Sequence, residues 1–302
     1  MSNFDLYKQW AERYAQRVSQ GQPDKGGKGK KADSKPDAGS QPDSNATTPL
    51  VVPHTFGSAS FLKGQFGKDF LKEYNARVKK DYNNASALQV LNWDDANQKV
   101  TGSNPFAVVL SNMILEKSGI RTATQAELEK IAQANTLLIK GNHYVESSLV
   151  WRSNADPNSW LALDFYDQFR GAGKPLKENT AYVLPLYGLS LRKENKAPNK
   201  LAFNLKKELL DTPLYFEAPI LNSKHGSYIN SSEMDAKTGL PTKVYDTDVP
   251  GKNRQLWTRN SGLSRLFLNW NLNINSNDDD LADSGEYGRV VCISGVAAAQ
   301  KP

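Results

Sequence analysis

Six side chains bearing a carboxylate or amide oxygen fall within nine residues near the C-terminus: Asn275, Asn277, Asp278, Asp279, Asp280 and Asp283. Carboxylate and amide oxygens are hard ligands, and a cluster of them is the raw material of a calcium site. The spacing does not follow a calcium-binding loop, because the three aspartates are consecutive and no glycine follows them. Adjacent acids also occur at Asp94-Asp95; such groups ordinarily sit in turns, solvated or capping backbone amides. The window 275–288 holds five acids (Asp278, Asp279, Asp280, Asp283, Glu286) and no base. That local charge of −5 repels phosphates, so no nucleic-acid partner is expected there, although the chain carries a net +6.

Other chemistry is sparse. No GxSxG nucleophile motif is present, and His54, His143 and His225 lie too far apart for a recognisable metal spacing. A single cysteine, Cys292, allows no intrachain disulfide, redox pair or thiolate zinc cage. It sits in the apolar run Val290-Val291-Cys292-Ile293 and reads as a small core residue. The Gly-Lys pairs at 26–31 miss the phosphate-loop spacing. No catalytic residue, metal or cofactor is therefore assigned, and the expectation is a protein that is not an enzyme.

The acidic cluster must be positioned by what flanks it. From Leu268 to Asn277 every second residue is Asn, with Leu, Trp, Leu, Ile and Ser between. Period-two alternation predicts a strand with one buried face. Leu268, Trp270, Leu272 and Ile274 are then core residues, and the asparagines point outward. Asn is depleted in strands, so an Asn-decorated outer face is not built for strand stability. Tyr287, in the polar run that follows, is the better candidate for an exposed aromatic anchor. The candidate ligand-binding residues are Asn269, Asn271, Asn273, Asn275, Asn277, Asp278, Asp279, Asp280, Asp283, Gly285, Glu286 and Tyr287.

Residues 3–19 predict a short amphipathic helix through Phe4, Tyr7, Ala11, Tyr14 and Val18. Too short to be stable alone, it is expected to dock on its own domain, on another copy or on a partner. Residues 20–50 are Gly, Lys, Pro, Ser and Asp, a composition that cannot offset its ordering entropy, so a disordered linker is expected. The folded domain is expected over 51–302. A helix is predicted over 58–80, with Gly64 and Gly67 weakening it. Another starts at Asn104-Pro105 and ends near Gly119. A third opens at Thr124, where Glu127 completes a capping box. After residue 137, strands are predicted at 144–151, 182–192, 200–206, 214–220, 255–259, 264–275 and 289–294. Helices first and strands afterward predict an α+β domain. No apolar run is long enough to span a membrane. The N-terminal residues lack a basic-then-apolar leader pattern, so cytoplasmic residence is the default expectation, with display on a surface or virion by another route.

Two segments carry a family resemblance. Residues 103–135, from Ser103-Asn104-Pro105-Phe106 through Ser118-Gly119-Ile120-Arg121-Thr122-Ala123-Thr124-Gln125-Ala126-Glu127-Leu128, resemble the helix–turn–helix stretch of formylglycine-generating-enzyme-like C-type lectin folds. There an Arg-Leu-Pro-Thr-x-Ala-Glu-Trp type motif opens the second helix. Arg121, Thr124, Ala126 and Glu127 match it, whereas Ala123 stands for the Pro and Leu128 for the Trp. Segment 262–294 resembles the variable region of diversity-generating-retroelement target proteins, with Gly288-Arg289-Val290 approximating the closing Gly-Phe-Arg-Val strand. The resemblance implies a C-type-lectin-like fold, with two helices on short, mainly antiparallel strands. It also implies adenine-directed diversification at Asn codons, and hence a receptor-binding surface that varies. The implied partner is a protein or a glycan; the alternative is a calcium-dependent carbohydrate-binding lectin. Formylglycine chemistry needs cysteines that this chain lacks.

Overall fold

A computed structural model describes residues 59–134, 143–211, 214–223, 226–248 and 254–294, all within one compact unit, Gln41–Pro302. The expected N-terminal helix and linker lie outside the described residues. Strand β1 (Ala59–Phe61) leads into helix α1 (Gly64–Tyr82), followed by the hairpin β2 (Asn92–Asp94) and β3 (Lys99–Thr101). Helix α2 (Pro105–Leu115), strand β4 (Ile120–Thr122) and helix α3 (Gln125–Gln133) come next. Strand β5 (Tyr144–Trp151) precedes helix α4 (Ser159–Gly171). Then follow β6 (Tyr182–Pro185), β7 (Leu189–Lys193), β8 (Leu201–Leu205), the one-turn helix α5 (Lys207–Asp211), β9 (Phe216–Glu217) and β10 (Gly226–Ile229). The chain closes with β11 (Arg254–Trp257), β12 (Leu263–Leu268), β13 (Ile274–Asn275), β14 (Gly288–Arg289) and β15 (Val291–Ser294).

The domain is a mixed α and β structure. Its main sheet has the order β10-β11-β13-β12-β5-β6-β9, with β14 added beside β5. Pairings are antiparallel except β11 with β13 and β14 with β5. A second sheet, β1-β15-β4, brings the first and last described strands together. Helices are not confined to the first half, because α4 sits between two strands of the main sheet. Its signal was local: Leu161, Ala162, Phe165 and Phe169 repeat at helical spacing and are buried.

Local chemistry explains the helices. In α1, Phe66, Phe70, Tyr74, Val78 and Tyr82 recur every four residues and all are buried. Gly67, a poor helix former, is there for space: a Cβ would lie 2.8 Å from the Leu62 carbonyl carbon. Helix α2 is apolar nearly all round, which places it inside the molecule. Asn104 caps it, accepting from the Ala107 amide at 2.8 Å, and Pro105 occupies the first turn. Phe106 stacks on Phe203 at 4.8 Å, and Phe165 stacks on the same ring at 5.8 Å. Each such pair contributes about 0.5–1.5 kcal/mol beyond the area it buries. Cys292 is fully buried, and burial pushes its thiol well above the ordinary range.

The turn between α2 and α3 is held by side chains. Asn112 accepts from the Thr122 amide at 2.8 Å and donates to its hydroxyl at 2.9 Å. The capping box at Thr124 is complete. Arg121 forks onto both Glu127 oxygens at 2.7 and 2.6 Å, and its guanidinium lies 4.8 Å from the Tyr187 ring. Burial opposes ionisation of Glu127. The Arg121 guanidinium and the Thr124 amide and hydroxyl outweigh it and hold the carboxyl below its ordinary range.

Candidate functional site

The alternating segment is a hairpin, not one continuous strand. Strand β12 ends at Leu268, the chain turns through Asn269–Leu272, and β13 pairs back with Leu268 opposite Ile274 and Phe267 opposite Asn275. The Leu272 amide donates to the Asn269 carbonyl at 2.8 Å, and the Asn269 amide to the Asn273 carbonyl at 2.9 Å. Asn271 Oδ1 accepts from the Asn273 amide at 3.1 Å, the local bond that makes Asn a turn residue. Leu272 adopts φ +64°, a left-handed conformation costing about 1–3 kcal/mol for a non-glycine residue.

The turn reverses the expected orientation of two residues. Trp270, read as core, sits at the hairpin tip and is 38% exposed. Asn273, read as outward, is 5% exposed, and its Oδ1 accepts from the Gln255 amide at 2.8 Å. Leu268 and Ile274 are buried as expected, and Leu272 packs at the edge of the core. The period-two pattern failed here because every residue available to the turn was Asn or apolar. The alternation could not show where the strand stopped.

Beyond β13 the chain folds back along β12, and the Arg265 amide donates to the Asp278 carbonyl at 3.0 Å. The acids then diverge. Asp278 faces Arg265 at 3.6 Å, and Asp279 pairs with Arg259 at 3.2 Å. Asp280 turns its Oδ1 to the Ala282 and Asp283 amides at 3.1 and 3.0 Å. Asp280, Asp283, Glu286 and Tyr287 are exposed; Asn269, Asn271, Asn275, Asn277 and Gly285 are partly buried. Among the described residues no three His, Cys, Asp or Glu side chains gather to hold a metal ion.

Beneath the acidic loop lies a buried ion pair. Arg265 and Glu146 are 2% and 1% exposed and hydrogen-bonded to each other. The guanidinium also donates to the Asp280 and Asp283 carbonyls at 3.2 and 3.1 Å. It lies 5.3 Å from the Tyr144 ring and 4.9 Å from that of Phe267. Burial pushes the Glu146 carboxyl up to about 7, against the pull of Arg265. Burial also raises Asp278. A second buried pair lies on the sheet's other face: Arg254 forks onto Glu129 at 2.9 and 2.6 Å and donates to the Leu272 carbonyl at 2.6 Å. Helix α3 is thereby tied to the hairpin tip.

The topology brings Trp270, Glu286 and Tyr287 to the same end of the sheet. Val145, near the start of β5, pairs with Leu268 on one side and with Arg289 on the other. The hairpin tip that follows Leu268 and the loop that precedes Gly288 therefore emerge together. Two strand spacings, about 10 Å, separate the strands that carry them. Trp270 and Tyr287 are two of the three exposed large apolar side chains among the described residues. Sequence reasoning missed Glu146, Arg254, Arg265 and Trp270. Arg265 within Leu263-Ser264-Arg265-Leu266-Phe267 and Glu146 within β5 are opposite charges in apolar strands, which is the available signal for a buried pair.

No protein-family model, curated protein or solved structure matches the chain. Among the described residues, no helix is long and apolar enough to cross a membrane.

Proposed function

We propose that this domain is a non-enzymatic ligand-binding module with a C-type-lectin-like scaffold, whose 269–287 segment displays a diversified receptor-binding surface. One observation carries the reading: side chains in this segment divide into an inward set that holds the fold and an outward set, of which Trp270, Glu286 and Tyr287 come from two loops that emerge together at one end of the sheet. Asn273, Asp278 and Leu281 belong to the first; Trp270, Asp280, Asp283, Glu286 and Tyr287 belong to the second. Short polar residues offer adaptable hydrogen bonds, and Trp270 and Tyr287 offer aromatic anchors, the combination found in antibody loops. The complete capping box with its Arg121–Glu127 fork supports the family resemblance of residues 103–135.

The partner is a protein or a glycan surface, recognised rather than turned over. Sequencing this gene from many related cells or virions tests the reading. Differences should concentrate in the codons for 269–287, at the outward positions. Differences spread evenly over the gene would sink it. The calcium-dependent lectin reading has a separate test in calorimetry with calcium chloride, where heat of binding that chelator abolishes would favour it.

A further inference from the structure

The loop that carries the outward residues has almost no regular structure, yet its main-chain carbonyls are systematically bonded. Arg254 donates to the Leu272 carbonyl at 2.6 Å. Arg152 donates to Ser276 O at 3.0 Å and to its hydroxyl, Arg259 to Asn277 O at 3.0 Å, and Arg265 to the carbonyls of Asp280 and Asp283. Arg289 donates to Glu286 O and Gly288 O, both at 2.6 Å. Two asparagines join them: Asn158 to Asp279 O at 2.8 Å and Asn104 to Ala282 O at 2.9 Å.

We infer that Arg152, Arg254, Arg259, Arg265 and Arg289 are positioning residues that set the backbone of residues 272–288 through its carbonyls, leaving the outward side chains free to change without altering the loop's shape. Every residue type has a carbonyl, so a donor aimed at one is indifferent to the side chain beside it. Guanidinium suits the task, because its rigid fork of five N–H groups reaches two acceptors at once and stays charged when buried. Arg152 makes the point most sharply. It is fully buried, and among the described residues no carboxylate pairs with it; its remaining bonds go to Leu221 O, Val150 O and the Ser264 hydroxyl. Burying a cation is costly, and an apolar residue could fill the same space. What an apolar residue could not do is hold the carbonyl of Ser276, where the loop leaves β13.

The outward side chains contribute little to that framework. Among the described residues, those of Trp270, Asn277 and Asp283 make no hydrogen bond, and Tyr287 bonds only its neighbour Glu286. Asp280 is the exception, since its carboxylate closes the turn at 280–283. The inference deepens the reading of this surface as a display site and rests on it for its purpose. Its test uses no ligand, so the two fail separately.

Amide hydrogen exchange on the full chain provides that test. The reporters are the Ser276 amide, bonded to Trp257 O at 2.7 Å, the Gly285 amide, bonded to the Tyr144 hydroxyl at 3.0 Å, and the Gly288 amide, bonded to Gly285 O at 3.0 Å. The combined variant Trp270→Ser, Asn277→Ser, Asp283→Ser, Tyr287→Ser should keep these amides within about threefold of the parent rate. Arg259→Gln should speed Ser276, and Arg289→Gln should speed Gly288, by about tenfold or more, with α2 amides unchanged. Asp279→Asn removes the ion pair to Arg259 but keeps the carbonyl bond, and should leave exchange at Ser276 unchanged. The inference is overturned if the four-serine variant loosens the loop, if the arginine variants leave it as it was or speed α2 equally, or if Asp279→Asn matches Arg259→Gln.

Discussion

Gly288 offers a sharp test of how the loop is seated, because the need for glycine there is spatial. A Cβ built on Gly288 would lie 2.4 Å from the Ser103 backbone nitrogen and 2.8 Å from the Gly102 carbonyl carbon. Those atoms cannot swing aside as a flexible side chain could. Gly288→Ala must push β14 away from residues 102–103 by about 1 Å to restore ordinary contact. That displacement strains the bond from the Gly102 amide to the Gly288 carbonyl, 2.9 Å long. It also shifts the loop next to Tyr144, which donates to Ser103 O and accepts from the Gly285 amide. Overpacking contributes about 1–3 kcal/mol and a weakened hydrogen bond about 0.5–1.5 kcal/mol, so a loss of about 2–4 kcal/mol is expected. For a domain of this size that is a fall in Tm of roughly 5–15 °C. Gly285→Ala is the control: its Cβ would meet nothing nearer than 3.8 Å, and stability should stay within about 0.5 kcal/mol of the parent. Urea unfolding of the two variants beside the parent measures both. Equal stabilities for the two alanine variants would refute the spatial argument.

Three further outcomes follow from the geometry. Glu146→Ala leaves Arg265 buried without its partner and should cost about 3–5 kcal/mol in urea unfolding, far more than a change at exposed Asp283. Asn273→Ala strands the Gln255 amide that bonds its side chain and should cost about 1–3 kcal/mol, whereas Asn277→Ala should stay within about 0.5 kcal/mol. Glu127 has a folded-state pKa below its unfolded value, so its ionised form is favoured by folding. Its contribution is present above the ordinary carboxylate range and is lost as pH falls through the folded value. Thermal melts from pH 6 down to about pH 3 should show the parent losing its advantage over Glu127→Gln, and a constant gap would count against the Arg121 fork.

Much of the helical frame was legible in the residues because its causes are local. Asn104 and Pro105 start α2 through a cap and a preset φ. Thr124 and Glu127 start α3 by bonding each other's amides. Cys292 lay in an apolar run and is buried. The 269–287 segment stands out in the sequence, but its alternation conceals the hairpin. A strand and a tight hairpin can share one alternating composition, and the stop at Leu268 is decided by Leu272 turning left-handed while Arg254 holds its carbonyl.

The sequence by itself therefore determined where the helices begin, which residues were apolar enough for the core, and that residues 269–287 carry an unusual polar surface. These depend on bonds between residues a few positions apart and on composition. Tertiary structure alone decided which of those polar residues face inward. Glu146 and Arg265 are 119 positions apart, and Arg152 and Ser276 are 124 apart. Little within the loop encodes its partners, because most of the groups it offers the arginines are main-chain carbonyls, the same at every residue.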